Sequence, residues 1–211
     1  MSKQIIILFD LDGTLIDSRK DLTIAVNKTL SRFGIEELAD ETILKYVGNG
    51  IRSLLYDCAK DNEHLKEMID YFISFYSSHL TDNTKPYSGV QMLLEQLKSK
   101  GIKMGVVTNK MTALAKTILH RLKMTSYFDE LVGGDLYQKK PHPEPLLRTA
   151  AEIGYADRII VVGDSENDII AGKLAEFETA GALWGLRPAE LIKQLKPDFA
   201  LSASTEVLEI L

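Results

Sequence analysis

Near its start the chain carries a short apolar run that ends at two carboxylates. Residues 5–9 read Ile-Ile-Ile-Leu-Phe and are followed by Asp10, Leu11, Asp12 and Gly13. A run this short, rich in isoleucine and closed by a glycine, predicts a strand buried on both faces, which is typical of a parallel sheet. Because side chains alternate across a strand, Asp10 and Asp12 can share one side while Leu11 points into the core. Two carboxylates this close together imply a bound cation, a shared proton, or both.

Residues 17–83, which we call the helical block, contain no convincing strand. Their apolar residues recur at helical spacing in three segments, 22–33, 51–59 and 65–76. Because the block begins directly after the two carboxylates, it is predicted to be an insertion hinged next to the candidate site. We therefore assign residues 1–16 and 84–211 to a core domain and residues 17–83 to an inserted helical cap.

From residue 88 onward, helical patterns alternate with short apolar runs. The runs that predict strands lie at 102–107, 131–132, 158–162 and 179–183. Strands that alternate with helices predict an α/β fold built on a doubly wound parallel sheet with right-handed crossovers.

Polar side chains follow four of the predicted strands. They are Asp10 and Asp12, Thr108 and Asn109, Lys140, and Asp164 with Asp168. In open α/β sheets the ligand lies beyond the carboxyl ends of the strands, so these residues are expected to meet. Three or four carboxylates suit a hard divalent cation that keeps several waters, which points to Mg²⁺. A hydroxyl, an amide and an ammonium group suit the oxygens of a phosphoryl group.

Each of these residues has a structural interpretation when taken alone. Thr108 with Asn109, or Asp164, could cap a helix, and Lys140 could be a solvated loop charge. Those interpretations fail jointly, because four separate strand ends carry the parts of one phosphoryl-transfer site.

Four segments, in this order, resemble the motifs of the haloacid dehalogenase (HAD) superfamily of phosphatases. They are Asp-Leu-Asp-Gly-Thr at 10–14, Thr-Asn at 108–109, Lys-Pro at 140–141 and Gly-Asp-Ser-Glu-Asn-Asp at 163–168. The resemblance implies a HAD-like Rossmannoid core, and the helical block resembles the C1 cap of that family. Dehalogenases of the superfamily lack the second Asp, so its presence favours phosphate chemistry.

The resemblance also implies a role for each motif residue. Asp10 would be the nucleophile that becomes an aspartyl phosphate, and Asp12 the general acid and base. Thr108 and Lys140 would contact the phosphoryl oxygens, with Thr14 and Asn109 as further substrate-binding groups. The metal would be held by the Asp10 carboxylate, the Asp12 backbone carbonyl and the Asp164 carboxylate, with Asp168 as a ligand or as support.

Residues 47–51, Val-Gly-Asn-Gly-Ile, resemble the substrate loop of the phosphoglycolate phosphatase subgroup. Gly48 and Gly50 would let backbone amides approach a small acidic substrate, with Asn49 between them and Arg52 as a weaker candidate. The alternative is a plain turn between two helices.

The composition limits the partners and the cellular location that we expect for this protein. The chain has 211 residues, 45% of them hydrophobic and 26% charged, and a net charge of −5, so nothing favours nucleic acid or an anionic membrane as a partner. We find no apolar run long enough for a membrane span and no signal-peptide cleavage pattern, and we predict a cytoplasmic protein. Cys58 is the one cysteine and is expected to be a small buried apolar residue.

The leading hypothesis is magnesium-dependent hydrolysis of a small phosphomonoester, 2-phosphoglycolate above all, through an aspartyl phosphate. A pyrophosphatase and a sugar-phosphate mutase of the β-phosphoglucomutase kind are alternatives within the fold. A phosphate-binding regulator without catalysis is the alternative from another class. The partner is expected to be a small phosphorylated metabolite, and the sequence leaves monomer and homodimer open.

Overall fold

A computed structural model describes residues 4–60 and 63–211. Its strands are β1 (Ile5–Phe9), β2 (Ile16–Asp17), β3 (Lys85–Pro86), β4 (Lys103–Val107), β5 (Glu130–Val132), β6 (Arg158–Gly163), β7 (Glu178–Ala182) and β8 (Phe199–Leu201). Its α-helices are α1 (Arg19–Arg32), α2 (Asp40–Leu44), α3 (Ile51–Ala59), α4 (Leu65–Ser78), α5 (Val90–Ser99), α6 (Thr112–Arg121), α7 (Glu144–Ile153), α8 (Glu166–Leu174) and α9 (Ala189–Gln194). Short 3₁₀ segments span Thr125–Tyr127 and Ser204–Ile210.

Six of these strands form one parallel sheet in the order β5-β4-β1-β6-β7-β8. The central strand β1 is buried on both faces, since Ile7 and Phe9 belong to one apolar cluster and Ile6 and Leu8 to another. Helices α5 and α6 pack into the first cluster, and α7 and α8 into the second. The doubly wound α/β fold predicted from the sequence is therefore confirmed.

The predicted strands agree with the observed ones to within one residue at either end. The sheet register aligns the carboxyl ends of β1, β4 and β6, because Phe9 pairs with Val106 of β4 and with Val162 of β6. The Asp10 amide extends this pairing by donating to the Val162 carbonyl at 2.9 Å. Residues that follow β1, β4 and β6 therefore meet at one edge of the sheet.

The helical block lies between two short strands. β2 and β3 pair antiparallel, with Ile16 opposite Pro86 and Asp17 opposite Lys85, so the chain leaves and re-enters the sheet region side by side. Within the block, α1 packs against α2, α3 and α4. This arrangement suits an insertion, and the division into residues 17–83 and residues 1–16 with 84–211 stays a prediction.

None of the helices in the described ranges combines the length and the apolar character that a membrane crossing requires.

Candidate active site

Asp10 and Asp12 lie on the turn that ends β1. Leu11 between them is completely buried, as predicted, and its carbonyl accepts hydrogen bonds from the amides of Leu15 and Ile16. Gly13 turns the chain at φ = +95°, in the region that favours glycine. Both carboxylates line one cavity at the carboxyl edge of the sheet, but different lysines bind them.

Three carboxylates form an acidic cluster in this cavity. One oxygen each of Asp10, Asp164 and Asp168 can be chosen so that all lie within 4.8 Å of one another. Burial raises the pKa of Asp10, and repulsion from Asp168 and Asp12 adds to it, while Lys140 opposes this only in part. Burial likewise raises the pKa of Asp164, together with the charges of Asp10 and Asp168. Carboxylates that repel one another in a buried site are the donor set expected for a divalent cation, so the cluster fits Mg²⁺.

Lys140 supplies the positive charge beside this cluster. Its Nζ lies 2.8 Å from Asp10 Oδ1 and 2.6 Å from Asp168 Oδ1, and it also donates to the Val107 carbonyl. Burial alone would lower the pKa of Lys140, but the Asp10 and Asp168 carboxylates outweigh it and raise the pKa above its usual value. The ammonium group is therefore held charged at the end of β4 and next to the predicted nucleophile.

Asp168 is fully engaged by neighbouring donors. Oδ1 accepts from Lys140, and Oδ2 accepts from the Ser165 amide at 3.1 Å and from Ser165 Oγ at 2.6 Å. Ser165 and Asp168 form a capping box at the start of α8. The helix is therefore capped by these residues, and the Asp164 carboxylate is left for the cavity.

Asp164 is packed so tightly that glycines are required around it. A Cβ built on Gly13 would lie 2.1 Å from Asp164 Oδ2, and one on Gly185 would lie 2.2 Å from Asp164 Cβ. Thr14 Oγ1 donates to Asp164 Oδ1 at 3.1 Å, and the Leu186 amide donates to Oδ2 at 2.7 Å. The carboxylate thus has one fixed orientation toward the cluster.

Asp12 is bound by a second lysine that the sequence reasoning missed. Lys110 Nζ lies 2.9 Å from Asp12 Oδ1, which also accepts from Ser18 Oγ at 2.6 Å. The same Nζ donates to Tyr76 Oη of α4 at 3.0 Å and lies 4.9 Å from the centre of the Tyr76 ring. Burial alone would lower the pKa of Lys110, but Asp12 and Tyr76 outweigh it and raise it. Lys110 directly follows Asn109, and this position after a strand was the one signal that could have identified it.

The two threonines of the motifs have different surroundings. Thr108 is buried and lines the cavity, and its Oγ1 accepts from the Lys110 amide at 3.2 Å. Thr14 is buried too, but its hydroxyl donates to Asp164 and it does not line the cavity. The predicted contact of Thr14 with substrate stays a prediction, while its contact with the acidic cluster is direct.

Asn109 joins the Lys140 loop to the helical block. Its Nδ2 donates to the carbonyls of Gly48 and Lys140, both at 2.8 Å, and its Oδ1 accepts from the Lys140 amide at 2.9 Å. Asn167 Nδ2 donates to the Gly48 carbonyl at 3.2 Å and to Asn49 Oδ1 at 2.9 Å. These amides therefore fix the loop before α3 over the strand ends.

The predicted substrate loop contributes unequally to the cavity. Gly48 and Gly50 line it, whereas Asn49 is exposed and does not. Arg52, the weaker candidate, is exposed and is not among the residues that line the cavity. A second missed residue, Arg187, holds the same loop by donating to the carbonyls of Leu44 and Val47, so the loop is fixed to the core at several points.

The cavity has a polar floor and an apolar roof, and its volume is about 750 Å³ when the open solvent at its mouth is included. The apolar side chains that line it, mostly from α1, α3, α4 and α6, are Leu22, Val47, Ile51, Leu54, Phe72, Met111, Leu114 and Leu186. Water is therefore restricted above the acidic cluster, which strengthens the charge interactions there.

Known proteins resemble this chain over nearly its whole length. A sequence profile described as "Haloacid dehalogenase-like hydrolase" matches residues 7–182. A phosphoglycolate phosphatase of Aquifex aeolicus is 44% identical, over 98% of this chain and 96% of that protein. A phosphoglycolate phosphatase of Neisseria meningitidis is 37% identical, over 96% of this chain and 92% of that protein. A crystal structure described as "a predicted phosphoglycolate phosphatase from haemophilus somnus" superposes with a TM-score of 0.91 at 30% identity, covering 100% of this chain and 99% of the other.

Proposed function

Because the chain belongs to the haloacid dehalogenase-like hydrolase family, we propose that it is a magnesium-dependent phosphatase that hydrolyses 2-phosphoglycolate to glycolate and phosphate. The observation that carries the reaction class is the pairing of Lys140 with Asp10, 2.8 Å apart, beside two further buried carboxylates. The choice of substrate rests on relatives named phosphoglycolate phosphatase, which match this chain over nearly its full length.

In the first step an oxygen of Asp10 attacks phosphorus, the ester P–O bond breaks, and an aspartyl phosphate forms. Asp10 Oδ1 accepts from Lys140, whereas Oδ2 has no hydrogen-bond donor among the described residues and is available for the attack. Lys140 and Thr108 contact the phosphoryl oxygens, where charge is stabilised as the ester oxygen departs.

Asp12 moves the protons of both steps. It gives its proton to the departing glycolate oxygen, and then takes one from the water that attacks the aspartyl phosphate. That attack breaks the bond between phosphorus and Asp10, releases phosphate and restores the Asp10 carboxylate. Oδ1 of Asp12 is occupied by Ser18 and Lys110, so Oδ2 is the oxygen that carries the proton.

When bound, Mg²⁺ would supply positive charge that offsets the repulsion between the Asp10 carboxylate and the phosphoryl oxygens. We assign its ligands to the Asp10 and Asp164 carboxylates and the Asp12 backbone carbonyl. Asp168 lies in the cluster, but its Oδ1 is paired with Lys140 at 2.6 Å and its Oδ2 caps α8, so we assign it to holding Lys140 in place. This keeps the ammonium group directed at Asp10.

The loop of Gly48, Asn49 and Gly50 closes the site over a small substrate. Gly50 lines the cavity, and its backbone lies close to the core, because a Cβ there would lie 3.4 Å from the Asn109 carbonyl oxygen. Gly48 and Gly50 would present backbone amides to the substrate. Asn49 and Asn109 would hold the loop through Asn167 and the Gly48 carbonyl, rather than touch the substrate themselves.

The apolar roof bears on the alternatives. A sugar phosphate brings several hydroxyl groups that need partners, and the apolar roof offers none. Among the polar side chains that line the cavity, Asn109, Asn167 and Arg187 are already held by carbonyls of the helical block. A small leaving group is therefore favoured over the sugar of a mutase. The intact set of acids likewise favours an enzyme over a regulator that only binds phosphate.

The proposal also covers the cellular location, the partner and the oligomeric state. We place the reaction in the cytoplasm, in keeping with a single buried cysteine and no disulfide within the chain. The partner is a small phosphorylated metabolite, and the working unit is a monomer or a homodimer.

The test is phosphate release by the purified protein with Mg²⁺, comparing 2-phosphoglycolate, pyrophosphate and several sugar phosphates, with an EDTA control. A tenfold or greater preference in kcat/KM for 2-phosphoglycolate, which is about 1.4 kcal/mol, supports the proposal. A flat profile refutes the substrate and leaves the phosphatase. Asp10→Asn is expected to bind inorganic phosphate and to lose turnover, and wild-type turnover in that variant would refute the mechanism.

A further inference from the structure

The cavity contains a buried cation that the proposed reaction steps do not use. Lys110 follows β4, its side chain is only 6% exposed, and its Nζ reaches Asp12 of the core and Tyr76 of the helical block. The Lys110 backbone is fixed as well, since its amide donates to Thr108 Oγ1 and its carbonyl accepts from the Gly134 amide at 2.8 Å. The ammonium group therefore has a defined position.

That position lies under the apolar roof. Leu54, Phe72, Met111 and Leu114 line the same cavity, so an ammonium group here is costly unless anions or dipoles surround it. Asp12 supplies one acceptor oxygen, Oδ1, and Tyr76 offers a hydroxyl oxygen and a ring face. The ammonium group has a third proton, and no further acceptor is assigned to it within the described residues.

The other cations that line the cavity are engaged elsewhere. Lys140 is bound by Asp10, Asp168 and the Val107 carbonyl, all on the phosphoryl side. Arg187 is bound by Glu166 and by two carbonyls of the helical block. Among the described lining residues, Lys110 is thus the cation beside the departing group.

The short distance between Asp12 and Lys110 suits a departing group with an acid close to its ester oxygen. A general acid acts at about 2.6–3.2 Å from the oxygen that it protonates, so the ester oxygen comes to lie next to Asp12. In 2-phosphoglycolate the carboxylate carbon is two bonds from that oxygen. A carboxylate at this position lies beside Lys110, whose Nζ is 2.9 Å from Asp12.

We propose that Lys110, assisted by the Tyr76 hydroxyl, binds the carboxylate of the departing group and so selects phosphomonoesters with an acid group two bonds from the ester oxygen. The inference rests on the proposed function. The site that selects the substrate would then be shared between two parts of the chain. Lys110 belongs to the core, and Tyr76 reaches it from α4 of the helical block. A role limited to orienting Asp12 is the competing explanation.

The experiment compares two phosphomonoesters of the same size, one with a carboxylate on the departing group and one without. Wild type and Lys110→Met are assayed for kcat and KM on 2-phosphoglycolate and on phosphoglycolamide, in which an uncharged carboxamide replaces the carboxylate, with Mg²⁺. Because Lys110 also touches Asp12, turnover of both esters is expected to fall, but kcat/KM for 2-phosphoglycolate falls at least tenfold further than for the amide. Lys116→Met, on the exposed face of α6, is the matched control and leaves both values unchanged.

The outcomes separate the two proposals. If wild type prefers 2-phosphoglycolate and Lys110→Met lowers both substrates by the same factor, Lys110 acts only through Asp12 and the inference is overturned. If wild type prefers neither ester over the other, the site does not select a carboxylate and the inference is overturned. If wild type releases no phosphate from 2-phosphoglycolate, the proposed function itself fails. Tyr76→Phe, which removes one oxygen and keeps the ring, gives a second measure should Lys110→Met not fold. It is expected to reduce the preference at least threefold, and an unchanged preference contradicts the role of the Lys110 and Tyr76 pair.

Discussion

Arg187 binds Val47 across 140 positions of the chain, with Nη2 2.7 Å from the Val47 carbonyl oxygen. Nη1 donates to the Leu44 carbonyl at 2.9 Å, and Nε contacts Glu166 at 3.2 Å. The arginine side chain is only 8% exposed. The segment after β7 therefore holds the loop that covers the strand ends.

Replacing Arg187 by methionine is expected to loosen this loop. Two carbonyls lose a charged donor, and each lost hydrogen bond of this kind costs about 1–3 kcal/mol when the acceptor stays buried. We expect KM to rise about tenfold or more, which corresponds to about 1.4 kcal/mol, with a smaller change in kcat. Steady-state kinetics together with hydrogen exchange of the amides at 48–50 measure both effects.

Arg148→Met is the control, because Arg148 is exposed on α7 and pairs with Glu144 at 3.7 Å. It is expected to keep wild-type kinetics. A wild-type KM and unchanged exchange in Arg187→Met would show that the loop is held by its other contacts.

Magnesium is expected to stabilise the folded protein. It would relieve the repulsion among Asp10, Asp164 and Asp168, and a ligand at about 100 times its Kd adds about 2.7 kcal/mol. For a chain of this size that corresponds to a Tm increase of about 5–10 °C over the EDTA-treated protein. Asp164→Asn is expected to abolish most of the increase, whereas Asp70→Asn, exposed on α4, keeps it. Equal increases in both variants would exclude Asp164 as a ligand.

Asp21 of α1 makes the folded state sensitive to acid. Its carboxylate is buried and accepts from the amide and Nδ2 of Asn83 and from the amide and Oγ1 of Thr84, at 2.6–3.1 Å. Burial raises the pKa of Asp21, but these donors outweigh it and the pKa is lowered. A lowered folded-state pKa stabilises the protein above the unfolded value of about 3.9, and this stabilisation is lost as the pH falls through the folded-state pKa.

Asp21→Asn is therefore expected to destabilise the protein by about 1–3 kcal/mol at pH 7, and by progressively less below pH of about 4. Urea unfolding of both proteins between pH 3 and pH 7 measures the difference. Asp82→Asn is the control, because Asp82 is exposed and directly precedes Asn83. Its free energy of unfolding is expected to stay close to that of wild type at every pH. If the difference in the free energy of unfolding between wild type and Asp21→Asn stays the same in acid, the donors do not stabilise the charged form of Asp21.

The strand-end residues could be predicted because each one follows an apolar run, and parallel strands deliver their carboxyl ends to the same edge. That is why Asp10, Thr108 and Asp164 were named from the sequence. Lys110 and Arg187 could not be given roles, since their partners come from another part of the fold: Tyr76 lies 34 positions from Lys110. Local patterns identify the residues at the end of a strand, but not the distant segment that covers them.

Gly13 offers a test of how closely the acidic cluster is packed. At φ = +95° a side chain is strained, and a Cβ at Gly13 would in addition lie 2.1 Å from Asp164 Oδ2. Gly13→Ala is therefore expected to displace the Asp164 carboxylate, to lower kcat/KM at least a hundredfold and to reduce the Mg²⁺-dependent increase in Tm. Kinetics and thermal unfolding with and without Mg²⁺ measure these effects.

Gly101→Ala separates the clash from the backbone strain. Gly101 also has a positive φ, +72°, but a Cβ there would meet no atom within 4 Å. The backbone strain alone costs about 1 kcal/mol of stability, so this variant is expected to unfold at a lower temperature and to keep wild-type kinetics and its response to Mg²⁺. If Gly13→Ala lost no more than Gly101→Ala on all three measures, contact between the Gly13 turn and Asp164 would not be what orients the carboxylate.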